Sequence, residues 1–233
     1  AGLVYAHSGN VDFDTIYHAD SEQSHHDNTF APDNDGILPL TDQEWFKDDI
    51  IQRLQEFIRV AFADPENPHS NHLQANLDFI AQSLCLYALK PKSGETSLET
   101  IRRYLCTQFY KDHLKTYKKR PIYWLFSSGK NKAFECLVYL HRYNESTLAR
   151  MRTEYITPLL GKYTAHAEQL QKQMDDASST AEASRYKKAL TALEKKQTEL
   201  SEFDDKLKHH ADMRISIDLD DGVKVNYGKF GDL

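Results

Sequence analysis

The chain has 233 residues, of which 40% are hydrophobic and 27% charged, so it is long and apolar enough to bury its own core. Its 9 glycines and 7 prolines exclude a collagen-like chain, and no apolar run approaches the roughly 20 residues of a membrane-spanning helix. The net charge of −6 is unevenly distributed: residues 1–70 carry 14 acids and 3 bases, whereas residues 101–164 carry 4 acids and 13 bases.

Residues 1–40 are expected to form an acidic, loop-rich segment. They are rich in Asp, Asn, Ser and His, and only residues 11–16 alternate enough to suggest a short strand. His25 and His26 beside Asp27 could bind a metal, but solvated side chains are expected in such a loop. The sequence therefore predicts no metal site.

Residues 41–120 are predicted to form a helical subdomain. Apolar residues recur every three to four positions in three stretches, which are 41–61, 73–84 and 96–117. The first and third stretches open with a capping box, in which a Thr is followed three residues later by a Glu: Thr41 with Glu44, and Thr96 with Glu99.

Residues 121–143 are predicted to form a β-hairpin with a basic loop. The apolar runs Ile122–Phe126 and Phe134–Tyr139 flank the loop Ser127–Ala133. This loop is similar to a phosphate loop, but it lacks the first glycine of that motif and joins two strands rather than a strand and a helix. A nucleotide-binding loop is therefore rejected.

Residues 144–213 are predicted to form an antiparallel helical hairpin with coiled-coil character. Leucines recur in a heptad stripe after a break of small residues at 177–180, and Pro158 is expected to bend the first helix. Residues 214–233 are predicted to form a second β-hairpin around Asp220-Asp221-Gly222. The predicted fold class is α+β, mainly α-helical.

The three cysteines are expected to be buried free thiols in a reducing compartment. Cys85, Cys106 and Cys136 have apolar or aromatic neighbours and no zinc-type spacing.

The basic centre is the most informative feature. Its cations interleave with aromatic residues, and Lys111, Lys115 and Lys118 share one face of a helix, which suits a row of phosphates. The alternative is a solvated basic face that balances the acidic N-terminal segment. The candidate DNA-binding residues are Arg102, Arg103, Lys111, Lys115, Lys118, Lys119, Arg120, Lys130, Lys132, Arg150 and Arg152.

Aromatic side chains of the first hairpin could stack on bases, but apolar runs of this kind more often form a buried face. No complete catalytic motif is present, including the Asn-Pro-Pro-Tyr motif of amino-methyltransferases, so the sequence assigns no catalytic residue to this chain.

Several stretches together resemble one known family. They are 99–104 (ETIRRY), 120–126 (RPIYWLF), 139–143 (YLHRY), 148–153 (LARMRT) and 217–227 (IDLDDGVKVNY). This combination is similar to the C-terminal portion of PglX, the adenine-specific DNA methyltransferase of bacteriophage-exclusion (BREX) systems, which itself resembles type IIG restriction–modification proteins.

The resemblance implies a larger parent that transfers a methyl group from S-adenosylmethionine to adenine N6 at a specific DNA site. The methyltransferase motifs and the cofactor would belong to an upstream domain, and this region would grip double-stranded DNA or support target recognition. Alternatively, its helical arm would dock other phage-defence subunits as a scaffold. The expected location is the bacterial cytoplasm.

Overall fold

A computed structural model describes residues 30–31, 34–63, 72–118, 120–231 and 233. Helices dominate, and short strands form one antiparallel sheet, which confirms the mainly α-helical α+β fold. The strand suggested over 11–16 and the His25-His26 pair lie outside the described residues. In chain order the elements are β1 (Ile37–Pro39), α1 (Ile50–Ala61), α2 (Leu73–Tyr87), α3 (Ser97–Thr107), α4 (Phe109–Thr116), β2 (Tyr123–Ser127), β3 (Glu135–Tyr139), a 3-10 turn (Leu140–Arg142), α5 (Thr147–Arg150), a π-helical segment (Met151–Ile156), α6 (Thr157–Asp175), α7 (Thr180–Asp212) and α8 (Val223–Gly228).

The first predicted hairpin is confirmed as β2 and β3, and β3 is the central strand of the sheet. β2 and β3 pair antiparallel from Tyr123 opposite Tyr139 to Ser127 opposite Glu135. β1 pairs with the other edge of β3, so the strand order is β1-β3-β2. The sequence did not predict β1, because its three residues are too few to show an alternating pattern.

Helices cover both faces of this sheet. Trp124 and Phe126 of β2 face a core cluster that includes residues of α5, α6 and α7. Tyr123 and Leu125 pack against a second cluster, formed with α1, α2 and α3. Because successive side chains of a strand point to opposite faces, one strand contributes to both cores and the sheet is the middle layer of three.

The first helix begins at Ile50 and not at the predicted Thr41. Asp49 caps it by accepting a hydrogen bond from the Ile51 amide at 2.9 Å, and the Thr41 hydroxyl donates to the Asp49 carboxylate at 3.0 Å. Phe46 is buried in the core with α5–α7, whereas Ile50 is buried in the core with α2 and α3. Residues four apart share one face of a helix, so a continuous helix could not send both side chains into different cores.

The helix predicted over 73–84 is confirmed as α2, whereas the one over 96–117 is divided into α3 and α4. The second capping box is present: the Thr96 hydroxyl accepts from the Glu99 amide, and the Glu99 carboxylate accepts from the Thr96 amide at 2.7 Å. After the break, His113 of α4 faces the start of β2. Its Nε2 accepts hydrogen bonds from the two amides there, at 3.2 and 3.4 Å.

The two long helices expected within 144–213 are α6 and α7, which are joined by residues 176–179 and pack against each other. The leucine stripe of α7 lies inside the protein, since Leu193 is 6% exposed and Leu200 and Leu207 are fully buried. These leucines belong to the core that contains Trp124. The stripe therefore packs α7 onto the rest of the chain.

The disturbance expected at Pro158 takes the form of a π-helical segment just before it. Pro158 lies in the first turn of α6. Proline has no amide hydrogen and its ring crowds the carbonyl four residues earlier. The wider π turn accommodates both effects without ending the helix.

The predicted C-terminal hairpin is wrong, because residues 223–228 form the helix α8. The side chain of Asn226, which is 3% exposed, accepts from the Asp218 amide at 3.1 Å and donates to the Asp218 carbonyl at 2.5 Å. The Asn226 side chain thereby occupies the amide and the carbonyl of Asp218, which would otherwise pair with a second strand. Beyond α8, Phe230 inserts edge-on against Trp124 and Phe126 and fixes the segment to the sheet.

Candidate nucleic-acid interface

The cations predicted to bind DNA do not share one environment. Lys119 lies outside the described residues. Among the others, one group is held in short ion pairs within the fold: Arg102, Arg103, Lys132, Arg150 and Arg152. The second group is exposed: Lys111, Lys115, Lys118, Arg120 and Lys130.

Arg102 and Arg103 stabilise the helical layer. Arg102 donates to the fully buried Asp49 carboxylate at 2.8 Å and to the Thr41 carbonyl at 2.7 Å, so it joins α3 to the start of α1. Arg103 makes a two-pronged contact with Glu95 at 2.7 and 2.6 Å. These hydrogen bonds from Arg103 hold the pKa of Glu95 below its usual value. Neither arginine can bind a phosphate without breaking its ion pair and leaving the carboxylate of Asp49 or Glu95 unpaired.

Three further candidates are neutralised on or near the surface. The Lys132 ammonium donates to Glu135 at 2.8 Å and to a backbone carbonyl at the end of α3 at 2.9 Å. Arg150 pairs with Glu154 one turn along its helix, and Arg152 makes two contacts with Asp204 of α7, at 2.8 and 3.1 Å. Each neighbouring acid cancels the charge that DNA would meet.

The exposed group belongs to α4, to the segment that follows it and to the hairpin loop. Lys111 and Lys115 lie on α4, Lys118 and Arg120 lie between α4 and β2, and Lys130 lies in the hairpin loop. The Lys115 side chain is 78% exposed, with its ammonium 3.6 Å from Asp112. Within the described part of the chain, the other four side chains make no ion pair.

Aromatic residues of the hairpin do not extend this surface. Trp124 and Phe126 are 4% and 5% exposed, which agrees with the buried face that the sequence favoured over base stacking. Tyr123 and Tyr139 are half-buried and lie against each other, with ring centroids 5.3 Å apart. The buried rings of the hairpin are therefore not available to stack on bases.

Glu199 of α7 fastens the basic hairpin loop. Its carboxylate accepts hydrogen bonds from the Ser128 hydroxyl at 2.8 Å, the Asn131 amide at 2.7 Å and the Ala133 amide at 3.1 Å. Burial raises the pKa of Glu199, but these hydrogen bonds outweigh it and leave the pKa below its usual value. An internal carboxylate thus occupies the amides that a phosphate would need, in agreement with the rejection of a phosphate loop.

The sequence did not single out a second basic surface, which lies on α7. Residues 180–198 carry 5 bases and 2 acids, whereas residues 199–212 carry 2 bases and 5 acids, so the pooled charge hides the contrast. The basic half lines a groove of about 640 Å³, to which the hairpin loop contributes Asn131. We call it the loop–α7 groove; the residues that line it include Asn131, Ser184, Lys187, Lys188, Thr191 and Lys195.

The cysteines are free thiols, as predicted. Cys136 is fully buried as expected, whereas Cys85 and Cys106 are half-buried, so the expectation that all three are buried is wrong for these two. Burial raises the pKa of Cys106 to about 11 and raises the pKa of Cys136 well above its usual value. Both therefore remain protonated at neutral pH and serve packing. Among the described residues, no helix combines the length and apolarity needed to cross a bilayer.

No protein-family model matches the chain. It is 62% identical over 232 residues to the adenine-specific methyltransferase BrxX of Escherichia coli O9:H4 (strain HS), a match that covers 100% of the chain and 18% of BrxX. It is 43% identical over 204 residues to the adenine-specific methyltransferase PglX of Lacticaseibacillus casei (strain Zhang), covering 86% of the chain and 16% of PglX. The chain thus spans less than a fifth of the length of these curated relatives, and it matches one part of each of these adenine-specific methyltransferases.

Proposed function

We propose that the chain is the C-terminal, DNA-gripping region of a BREX adenine-N6 DNA methyltransferase. The observation that carries this proposal is the exposed group of cations on α4, after it and in the hairpin loop, of which only Lys115 has an acid nearby among the described residues, Asp112 at 3.6 Å. Such a group releases counterions from a duplex and binds it without regard to sequence.

A gripping region has a clear task in adenine methylation. The target base must leave the duplex to reach a methyltransferase pocket, so the enzyme needs contacts that hold the phosphates on either side. S-adenosylmethionine and the catalytic residues would belong to the remainder of a longer parent, a proposal supported by the much greater length of the relatives. In this chain the cations position the substrate, and cytoplasmic location in a bacterium follows from the same role.

The test is duplex binding by fluorescence anisotropy at two salt concentrations. We expect binding that weakens steeply with salt, and a loss of about tenfold or more when Lys111, Lys115 and Lys118 are changed to Glu. All three side chains are exposed, so the variant should fold normally. Unchanged binding by the triple variant would contradict this placement of the grip.

The alternative is a scaffold that docks partners through the leucine stripe of α7. That stripe is buried inside the protein, so it offers no surface to a partner. A different apolar face is open to a partner. Leu86 and Tyr87 at the end of α2 are 76% and 82% exposed. Since the relatives are more than five times longer than the chain, we propose the upstream methyltransferase part of the same polypeptide as the occupant.

That second proposal is tested by expressing the chain and the remainder of its parent as two polypeptides. Leu86→Ser with Tyr87→Ser should abolish their co-purification, whereas Leu219→Ser, which is at a 50% exposed position elsewhere, should leave it unchanged. Equal recovery from both variants would mean that the parent docks on another surface.

A further inference from the structure

We propose that the loop–α7 groove is a second phosphate-binding surface, which takes the backbone of double-stranded DNA. The inference rests on the proposed DNA-binding function but assigns it to residues separate from the α4 cations. Its basis is the juxtaposition of the fixed basic hairpin loop with the basic half of α7.

The groove carries charge that the fold does not use. Lys187, Lys188 and Lys195 are exposed, and within the described residues none of them has a carboxylate partner. Lys196 differs, because its ammonium lies 2.6 Å from Asp42. From the hairpin loop, Asn131 lines the groove opposite these lysines. An electrostatic site for an anion thus remains after the internal ion pairs are made.

The spacing of these lysines matches an extended anion. Residues 187 and 195 are eight positions apart on α7, a rise of about 12 Å along the helix axis. A DNA strand presents one phosphate per roughly 3.4 Å of duplex axis, so this length faces three to four phosphates. The three lysines of α7 are therefore enough to follow a strand, whereas a single small anion would leave most of them unused.

The other lining residues favour a duplex backbone over different polyanions. Ser184 and Thr191 supply exposed hydroxyls, which commonly bind phosphate oxygens. Among the described residues that line the groove there is no aromatic side chain, whereas proteins that bind single strands stack bases on aromatic rings. Ala192 is the lining residue with an apolar side chain, so an acidic peptide would find no hydrophobic anchor.

The groove is organised before any ligand arrives. Glu199 lies one turn beyond Lys195 and holds the amides of Asn131 and Ala133, so the loop wall cannot shift away from α7 without breaking hydrogen bonds. A wall held in place loses little conformational entropy on binding.

The experiment compares two triple variants of the chain that change net charge equally. The groove variant is Lys187→Glu, Lys188→Glu and Lys195→Glu. The control variant reverses three exposed lysines elsewhere on the described surface: Lys172→Glu, Lys208→Glu and Lys224→Glu. Each is titrated by anisotropy with a duplex of about 30 base pairs and with its single strand, at several salt concentrations.

We expect the groove variant to bind the duplex about tenfold or more weakly and to lower the salt slope by about 2 to 3, the number of phosphate contacts removed. The control should change affinity by less than about threefold. If the groove and control variants bind equally while the wild type binds with a steep salt slope, the groove is overturned and the proposed function stands. A wild type that binds no duplex overturns both, and a greater loss for the single strand than for the duplex overturns the assignment of the groove to double-stranded DNA.

Discussion

Glu199 is the residue whose replacement tests most directly how the hairpin loop is held. Glu199→Ala removes the acceptor of the Asn131 and Ala133 amides and of the Ser128 hydroxyl. Ala133 is 1% exposed, so its amide would lose its partner without gaining water, at a cost of about 1–3 kcal/mol. The other two donors are half-buried and can be solvated in part, which brings the expected destabilisation to about 2–4 kcal/mol.

Urea unfolding at neutral pH measures this difference, and the matched control is Glu194→Ala. Glu194 is exposed on the same helix, and its carboxylate has no hydrogen bond in the described structure, so its loss should cost less than about 0.5 kcal/mol. Amide hydrogen exchange adds a local readout, because the Asn131 and Ala133 amides should exchange faster only in Glu199→Ala.

Acidification provides an independent check. The pKa of Glu199 is lowered in the fold, so its contribution to stability is complete above the unfolded value of 4.5 and is lost as the pH falls through the folded value. Glu199→Gln keeps the shape but cannot titrate. Its deficit relative to the wild type should therefore shrink as the pH falls below about 4.5.

The reasoning is refuted if Glu199→Ala unfolds at the same urea concentration as Glu194→Ala, or if the two loop amides exchange no faster. Either result would mean that the loop is held by its strand pairing alone. The loop–α7 groove would then lack its fixed wall.

Three further predictions concern the fold. Arg102→Ala should lower the free energy of unfolding in urea by about 3–5 kcal/mol, because it leaves the buried Asp49 carboxylate without its partner. The control Lys111→Ala should lower it by less than about 0.5 kcal/mol. Similar values for the two variants would contradict the division of the cations into two groups. Burial lowers the pKa of His113, so the contribution of this residue to stability is complete above about pH 6.5 and is lost as the pH drops through the folded value. His113→Phe should flatten that part of the profile of stability against pH. An unchanged profile would contradict this role of His113. Leu200→Ala should cost about 2–5 kcal/mol without altering the oligomeric state in size-exclusion chromatography, and dissociation of an oligomer would instead identify the stripe as an interface.

Local signals in the sequence predicted most of the secondary structure. The Thr96 capping box, the apolar runs on either side of the hairpin loop and the break before α7 all depend on residues close together in the chain. The C-terminal hairpin failed because its alternating pattern is short, and a single buried side chain, Asn226, captures the backbone around Asp218. Alternation cannot reveal such a competitor.

The candidate site could be predicted only in part for a similar reason. A count of charges treats Arg102 and Lys111 alike, yet one is paired with Asp49, 53 positions away along the chain, and the other is exposed. In the same way, the net charge of α7 as a whole conceals its basic half, because the acids of residues 199–212 cancel the lysines that precede them. Ion pairing is decided by distance in space, and sequence separation carries little information about it.

The amino-acid sequence by itself determined the mainly helical α+β class, the central hairpin and the kinship with adenine-specific methyltransferases, because each of these depends on local periodicity or on extended similarity. Only the tertiary structure decided which cations face solvent and which stabilise the fold. It also placed the leucine stripe of α7 in the core and brought Glu199 to the hairpin loop. The physical reason is that burial and electrostatic pairing act between residues far apart in the chain, and only packing brings them together.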